Sequence, residues 1–170
     1  VVVAELNPVV VDWCRDHLAP LIGDAIRDPR VTVEVTDVAV LLAKQAARTA
    51  ERPFDAIVLD MYEGPQAQVS PTDPLYSVTA MRRTHACLAR SGTLAVWCEG
   101  RSLGFEGSLR AGGFDYRMER HGRGARIHNV YVGRALPLPR SAQPAAAEKP
   151  ATPTASAIGS LRSSPSTSTV

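Results

Sequence analysis

Three acids stand where a sequence of this kind could do chemistry. Glu5 closes the apolar run VVVA, Asp37 follows VTVEVT, and Asp60 follows FDAIVL. An ionised carboxylate accepts hydrogen bonds through two oxygens and attracts cations. In an open α/β sheet, ligands bind outside the carboxyl ends of the strands. An acid at such an end can accept from both ribose hydroxyls of a nucleoside, and an acid after the next strand can accept from an adenine amino group. The competing reading is that these acids cap helices or begin loops, since Asp in particular is a good helix cap.

The elements that must position these acids follow from periodicity. Val1–Ala4 is an apolar strand. Asn7 can cap a helix that begins at Pro8, whose missing N–H would have no partner there anyway. That helix is expected to carry Val9, Val10, Trp13, Cys14, Leu18 and Leu21 on one face. Val31, Val33 and Val35 alternate with polar residues, as in a half-exposed strand, and residues 38–50 read as a helix. Residues 54–59 form a second apolar strand, followed by the proline-rich loop MYEGPQAQVSPTDPL. A helix is expected over roughly 75–90 with Gly92 just past its end, then a strand over 93–98 and a helix over 102–111. Two last strands, near 114–118 and 127–132, should pair as an antiparallel hairpin around Gly122 and Gly124. Repeated strand–helix units predict an α/β fold: a doubly wound, mostly parallel sheet with helices on both faces and a closing antiparallel hairpin.

Composition narrows the function classes. The 170 residues are 45% apolar and 21% charged, which suits one globular domain. No apolar run reaches the eighteen residues of a transmembrane helix. The first residues lack the basic leader of a signal peptide, and because the chain starts at Val1 inside a strand, further residues are expected upstream. Cys14, Cys87 and Cys98 show no CxxC pairing. They read as reduced thiols in or near a core, which points to the cytoplasm. The four histidines show neither HxH nor HExxH spacing, so no metal is expected. Residues 1–135 hold sixteen basic and sixteen acidic side chains, giving no electrostatic case for nucleic acid or membrane binding. The basic stretch RMERHGRGAR is read as a solvated hairpin, because Glu119 interrupts it and its glycines make a turn. Residues 136–170 are rich in Pro, Ala, Ser and Thr, have no aromatic residue, and read as a disordered tail.

The segments VVVAELNP, VTVEVTDVAVLLA and FDAIVLDMYEGP resemble the spermidine synthase family, a branch of the class I S-adenosylmethionine-dependent methyltransferase fold. The resemblance covers residues 1–135. It implies that Glu5 binds the ribose of the donor, that Asp37, with Val38 beside it, lies at the adenine, and that Asp60 is catalytic. It further implies S-adenosylmethionine or its decarboxylated form as co-substrate, a small amine as acceptor, and a homodimer as one admissible assembly. The family has a glycine-rich loop and a strand ahead of these segments, so this chain is expected to lack its first strand. After the catalytic Asp the family usually reads SSDP, where this chain has Met61, Tyr62, Glu63 and Gly64. Tyr62 and Glu63 become candidates for binding the acceptor, with Glu99 at the end of the next strand as a further lining residue and Trp97 read as core. Three functions are carried forward: aminopropyl transfer to a polyamine, methyl transfer to a small molecule, and a non-catalytic remnant of the fold.

Overall fold

A computed structural model gives the chain order β1 (Val2–Glu5), α1 (Pro8–Arg15), α2 (Ala19–Ile22), a 3₁₀ turn (Ala25–Arg27), β2 (Thr32–Val35), α3 (Val38–Ala47), β3 (Phe54–Leu59), α4 (Val78–Cys87), β4 (Leu88–Cys98), α5 (Leu103–Ala111), β5 (Phe114–Arg123) and β6 (Arg126–Ala135). The structure describes residues 1–48, 53–61, 63–123 and 126–137. Tyr62, and the tail expected beyond the first two of its residues, lie outside these. β1 and β2 pair in parallel, from Val2 against Thr32 to Glu5 against Val35. The other strands are ordered β3-β4-β6-β5, with β3 and β4 parallel and β6 antiparallel to both of its neighbours. The chain is thus α/β, with parallel strand–helix units and the closing hairpin that the sequence predicts.

Several boundaries differ from the sequence reading, each for a local reason. The first helix stops at Arg15 rather than running to Leu21, because Pro20 has no N–H to offer the Asp16 carbonyl. The chain restarts as α2 and turns through Gly23 at φ 63°. Helix α4 is shorter than 75–90: Ser77 caps it, its hydroxyl accepting the Ala80 N–H at 3.2 Å. It ends at Cys87, where Leu88 leaves to pair with Phe54. Gly92 therefore lies within β4, in the irregular stretch between that pair and Ala56 against Thr93, beside Ser91 at φ 62°. The hairpin strands are longer than expected and pair as far as Arg123 against Arg126, with Gly122 at φ 108°.

The core lies between the four-stranded sheet and α3, α4 and α5, with Leu42, Ile57, Leu59, Met81, Leu94, Val96, Phe105 and Leu109 buried together. The rings of Tyr76, Phe105, Tyr131 and Tyr116 follow one another edge to face, at centroid distances of 5.4, 5.3 and 6.0 Å. Cys87 and Cys98 are buried free thiols and Cys14 is partly exposed. Burial pushes the Cys87 thiol up to about 11, so it is protonated at neutral pH. Val58 points away from this core and is 69% exposed, although a strand covered on both faces would bury it. No helix among the described residues is long and apolar enough to cross a membrane.

Candidate functional site

β3 earns its direction from Ile57 and Leu59, which are buried while Val58 faces out. The strand delivers Asp60 at its carboxyl end. Beside it Leu59 pairs with Val96 of β4, and the two chains continue as Asp60 and Trp97. At this rim lies a cleft of about 690 Å³, lined by Asp60, Met61, Glu63, Gln66, Trp97 and Glu99, a size suited to a small-molecule site. Three of these six side chains are acids and none is basic, so the cleft favours a cationic guest and disfavours a phosphate or carboxylate.

A smaller recess of about 190 Å³ adjoins it, lined by residues 64–67 and 99–101. Its Arg101 is engaged elsewhere, donating to the buried Glu106 carboxylate from Nε at 2.7 Å and from its terminal guanidinium nitrogen at 3.0 Å. Gly64 lets the loop lie directly on β4: a Cβ there would come within 2.8 Å of both Cys98 Cα and the Trp97 carbonyl oxygen. Both contacts are backbone and cannot swing aside. Gly64→Ala is therefore expected to cost about 1–3 kcal/mol, the range for overpacking. It should also displace the loop, which denaturant unfolding and the fluorescence of Trp97 would register together.

Glu5 ends β1, Asp37 and Val38 follow β2 at the start of α3, and none of the three lines this cleft. The Glu5 Oε1 accepts the Asn7 N–H at 2.8 Å, and Asn7 caps α1 by accepting the Val9 N–H at 3.0 Å. Asp37 caps α3, its Oδ1 accepting the Ala39 N–H at 2.6 Å, with Val38 as the first helical residue. Helix capping thus describes one oxygen of Asp37, while one oxygen of Glu5 is taken by the N–H of the residue that caps α1. The second oxygen of each has further acceptor capacity, and the carboxylates are held in fixed orientations at the ends of two adjacent parallel strands. That pair of acceptors fits a vicinal diol or an amino group as the donor.

The cleft includes residues that sequence reasoning missed or misread. Gln66 and Met61 carry no pattern that singles them out. Trp97 was expected in the core, but the alternation along β4 buries Leu94, Val96 and Cys98 and turns Trp97 to the opposite, half-exposed face. There its Nε1 donates to His128 Nδ1 at 3.4 Å. The interrupted basic stretch lies on the hairpin, where Glu119 pairs with Arg117 at 2.6 Å and His121 at 2.9 Å. Both partners hold the Glu119 carboxyl below its usual range. Among the described residues no group of three or more His, Cys, Asp or Glu is arranged to hold a metal ion.

The course of the backbone can be set beside solved structures. Human methyltransferase-like protein 13 in complex with SAH matches with a TM-score of 0.57 over 80% of this chain, at 18% identity. A spermidine synthase in complex with the transition-state analogue AdoDATO matches with a TM-score of 0.57 over 78% of the chain, at 16% identity. The chain has the fold these structures share. The spermidine synthase from Thermotoga maritima matches in the same way, with a TM-score of 0.55 over 78% of the chain at 15% identity. The chain spans 61% of the human protein's length and 45% and 44% of the two spermidine synthases. At the level of sequence, no family and no curated protein matches. The likeness is one of fold, with β1 to β4 supplying the strand ends after which the acids stand.

Proposed function

We propose that residues 1–135 belong to a spermidine synthase-like aminopropyltransferase, which transfers the aminopropyl group of decarboxylated S-adenosylmethionine to a polyamine. The observation that carries this reading is the acidic cleft at the end of β3, where Asp60, Glu63 and Glu99 converge without a basic side chain. An alkyl ammonium titrates near ~10 and arrives protonated at neutral pH. Carboxylates at the rim attract it, and Asp60 accepts the proton that frees the nitrogen lone pair. The nitrogen then attacks the aminopropyl carbon beside the sulfonium. The new C–N bond forms as the C–S bond breaks, the electron pair passes to sulfur, and a neutral thioether leaves. Holding amine and carbon in line supplies much of the rate. In this scheme Glu5 holds the ribose hydroxyls and Asp37, beside Val38, the adenine amino group, while the acceptor is held by Glu63 and Tyr62.

The experiment supplies the full-length protein with decarboxylated S-adenosylmethionine and putrescine and follows products by mass spectrometry. An aminopropylated amine is the expected product. A methylated amine formed from S-adenosylmethionine instead would assign the same cleft to methyl transfer. Failure to bind either donor, in a protein that remains folded by circular dichroism, would leave a non-catalytic member of the fold.

A further inference from the structure

The main chain of the cleft is held from behind. Three lining residues offer their backbone carbonyls to buried side chains that take no part in the lining. The Tyr76 hydroxyl donates to the Glu63 carbonyl at 3.2 Å, the Ser102 hydroxyl to the Gln66 carbonyl at 2.6 Å, and the Asn129 side-chain amide to the Glu99 carbonyl at 2.7 Å. Tyr76, Ser102 and Asn129 are 7%, 1% and 8% exposed. They come from the approach to α4, the cap of α5 and strand β6, so three separate elements converge on one rim.

Each donor is itself fixed. Tyr76 packs edge to face on Phe105, and two backbone N–H groups tie its segment to the Asp73 carboxylate, which accepts from Leu75 and Tyr76 at 2.8 and 2.7 Å. Ser102 caps α5 by accepting the Phe105 N–H at 3.1 Å, and its own N–H donates to the Tyr131 hydroxyl at 2.8 Å. Asn129 sits within β6 opposite Cys98. The segment Glu63–Ala67 has no helix or strand ladder of its own. Its course is set by these carbonyl anchors and by the close seating of Gly64 on β4.

We infer that Tyr76, Ser102 and Asn129 are positioning residues that fix the separation of the Glu63 and Glu99 carboxylates, and thereby the spacing of positive charges that an acceptor must present. This rests on the reading of the cleft as an amine site. A cleft whose walls are anchored on both sides selects an α,ω-diamine by length, because its two ammonium groups must meet two carboxylates held at one distance. A loosened wall accommodates several lengths about equally.

The test uses the full-length protein and the diamines of three, four and five carbons. Tyr76→Phe keeps the ring and removes only the hydroxyl. Ser102→Ala removes the second anchor, and Ser102→Thr retains a hydroxyl there. Wild type is expected to prefer one diamine length. Tyr76→Phe and Ser102→Ala are expected to raise the KM of that diamine about fivefold each, the order of one neutral hydrogen bond, and to flatten the length preference. The KM of the donor should stay unchanged and Ser102→Thr should behave as wild type. Hydrogen exchange at the amides of Glu63, Gly64, Gln66 and Ala67 should quicken in Tyr76→Phe and Ser102→Ala, but not in Ser102→Thr. If exchange there is unchanged in both, the positioning role is overturned, whether or not the protein turns over any amine. If exchange quickens but the length preference is unaltered, the specificity role is overturned. If wild type aminopropylates no amine at all, the proposed reaction falls, and quickened exchange would still place Tyr76 and Ser102 as anchors of the cleft wall.

Discussion

Asp60→Asn is expected to lower turnover of an amine acceptor at neutral pH by about 10²–10⁴, the range a general base contributes. The substitution keeps the size and one acceptor oxygen but removes the charge and the ability to take a proton. Asp60 is exposed on the cleft, and surface substitutions of this kind change stability by no more than about 0.5 kcal/mol, so the loss should not be one of folding. The pH profile separates proton removal from mere cation binding. Without a base, only amine already deprotonated in solution can attack. That fraction rises about tenfold per pH unit below the ammonium pKa near ~10. The variant should therefore recover activity steadily as pH rises from 7 to 9, while wild type gains less. If turnover by Asp60→Asn stays within a factor of two of wild type across that range, Asp60 is not the base.

That Asp60 could be singled out at all reflects how local its setting is. FDAIVL is a strand by its own composition, and a strand of this fold ends at the ligand rim, so the residue after it is marked by position alone. Glu5 and Asp37 were legible for the same reason, and so were their competing roles, since Asn7–Pro8 and Asp37 are helix-start signals. What could not be read depended on partners distant in sequence. The α4–β4 boundary falls at Leu88 because of Phe54, thirty-four residues earlier, and nothing in CLARSG distinguishes a last helical turn from a first strand residue. Trp97 looked like core because TLAVW is continuously apolar. Which face of β4 the helices cover decides its fate, and that is settled by packing. Glu99 was legible as the end of the adjacent strand, whereas Gln66 reaches the cleft only through a loop held by Ser102, thirty-six residues away.

A large effect on stability is expected at a residue no sequence pattern marks. Glu106 is 3% exposed on α5, where a charged side chain persists only if paired. Its carboxylate accepts from Arg101 Nε at 2.7 Å and from the terminal nitrogen at 3.0 Å, from the Tyr116 hydroxyl at 3.0 Å and from the Tyr131 hydroxyl at 3.3 Å. The Arg110 guanidinium lies 3.6 Å away. The Arg101 hydrogen bonds, more than the two tyrosines, overcome the cost of burial and pull the carboxyl down to about 2 from an ordinary 4.5. A lowered folded-state pKa stabilises the fold above the unfolded value, and that contribution is lost as pH falls through the folded value. The full shift corresponds to about 3 kcal/mol. Solvent reaches the arginine side of the pair, where Arg101 is 63% exposed, so about 2 kcal/mol is the expected net.

Glu106→Gln should remove that amount at pH 7, lowering Tm by roughly 6–10 °C for a domain of this size. It should also flatten the fall in stability of wild type between pH 4.5 and pH 2. Arg101→Met, which leaves the carboxylate buried with two hydroxyl donors, should raise the Glu106 pKa and shift the acid transition to higher pH rather than abolish it. A Glu106→Gln protein whose stability still falls as steeply as wild type over that interval would show that other carboxylates govern acid unfolding. Because the Tyr131 hydroxyl bridges Glu106 to the Ser102 N–H, the same acid transition should loosen the cap of α5 first and the cleft wall with it. Amine binding is then expected to weaken at a pH above that of global unfolding.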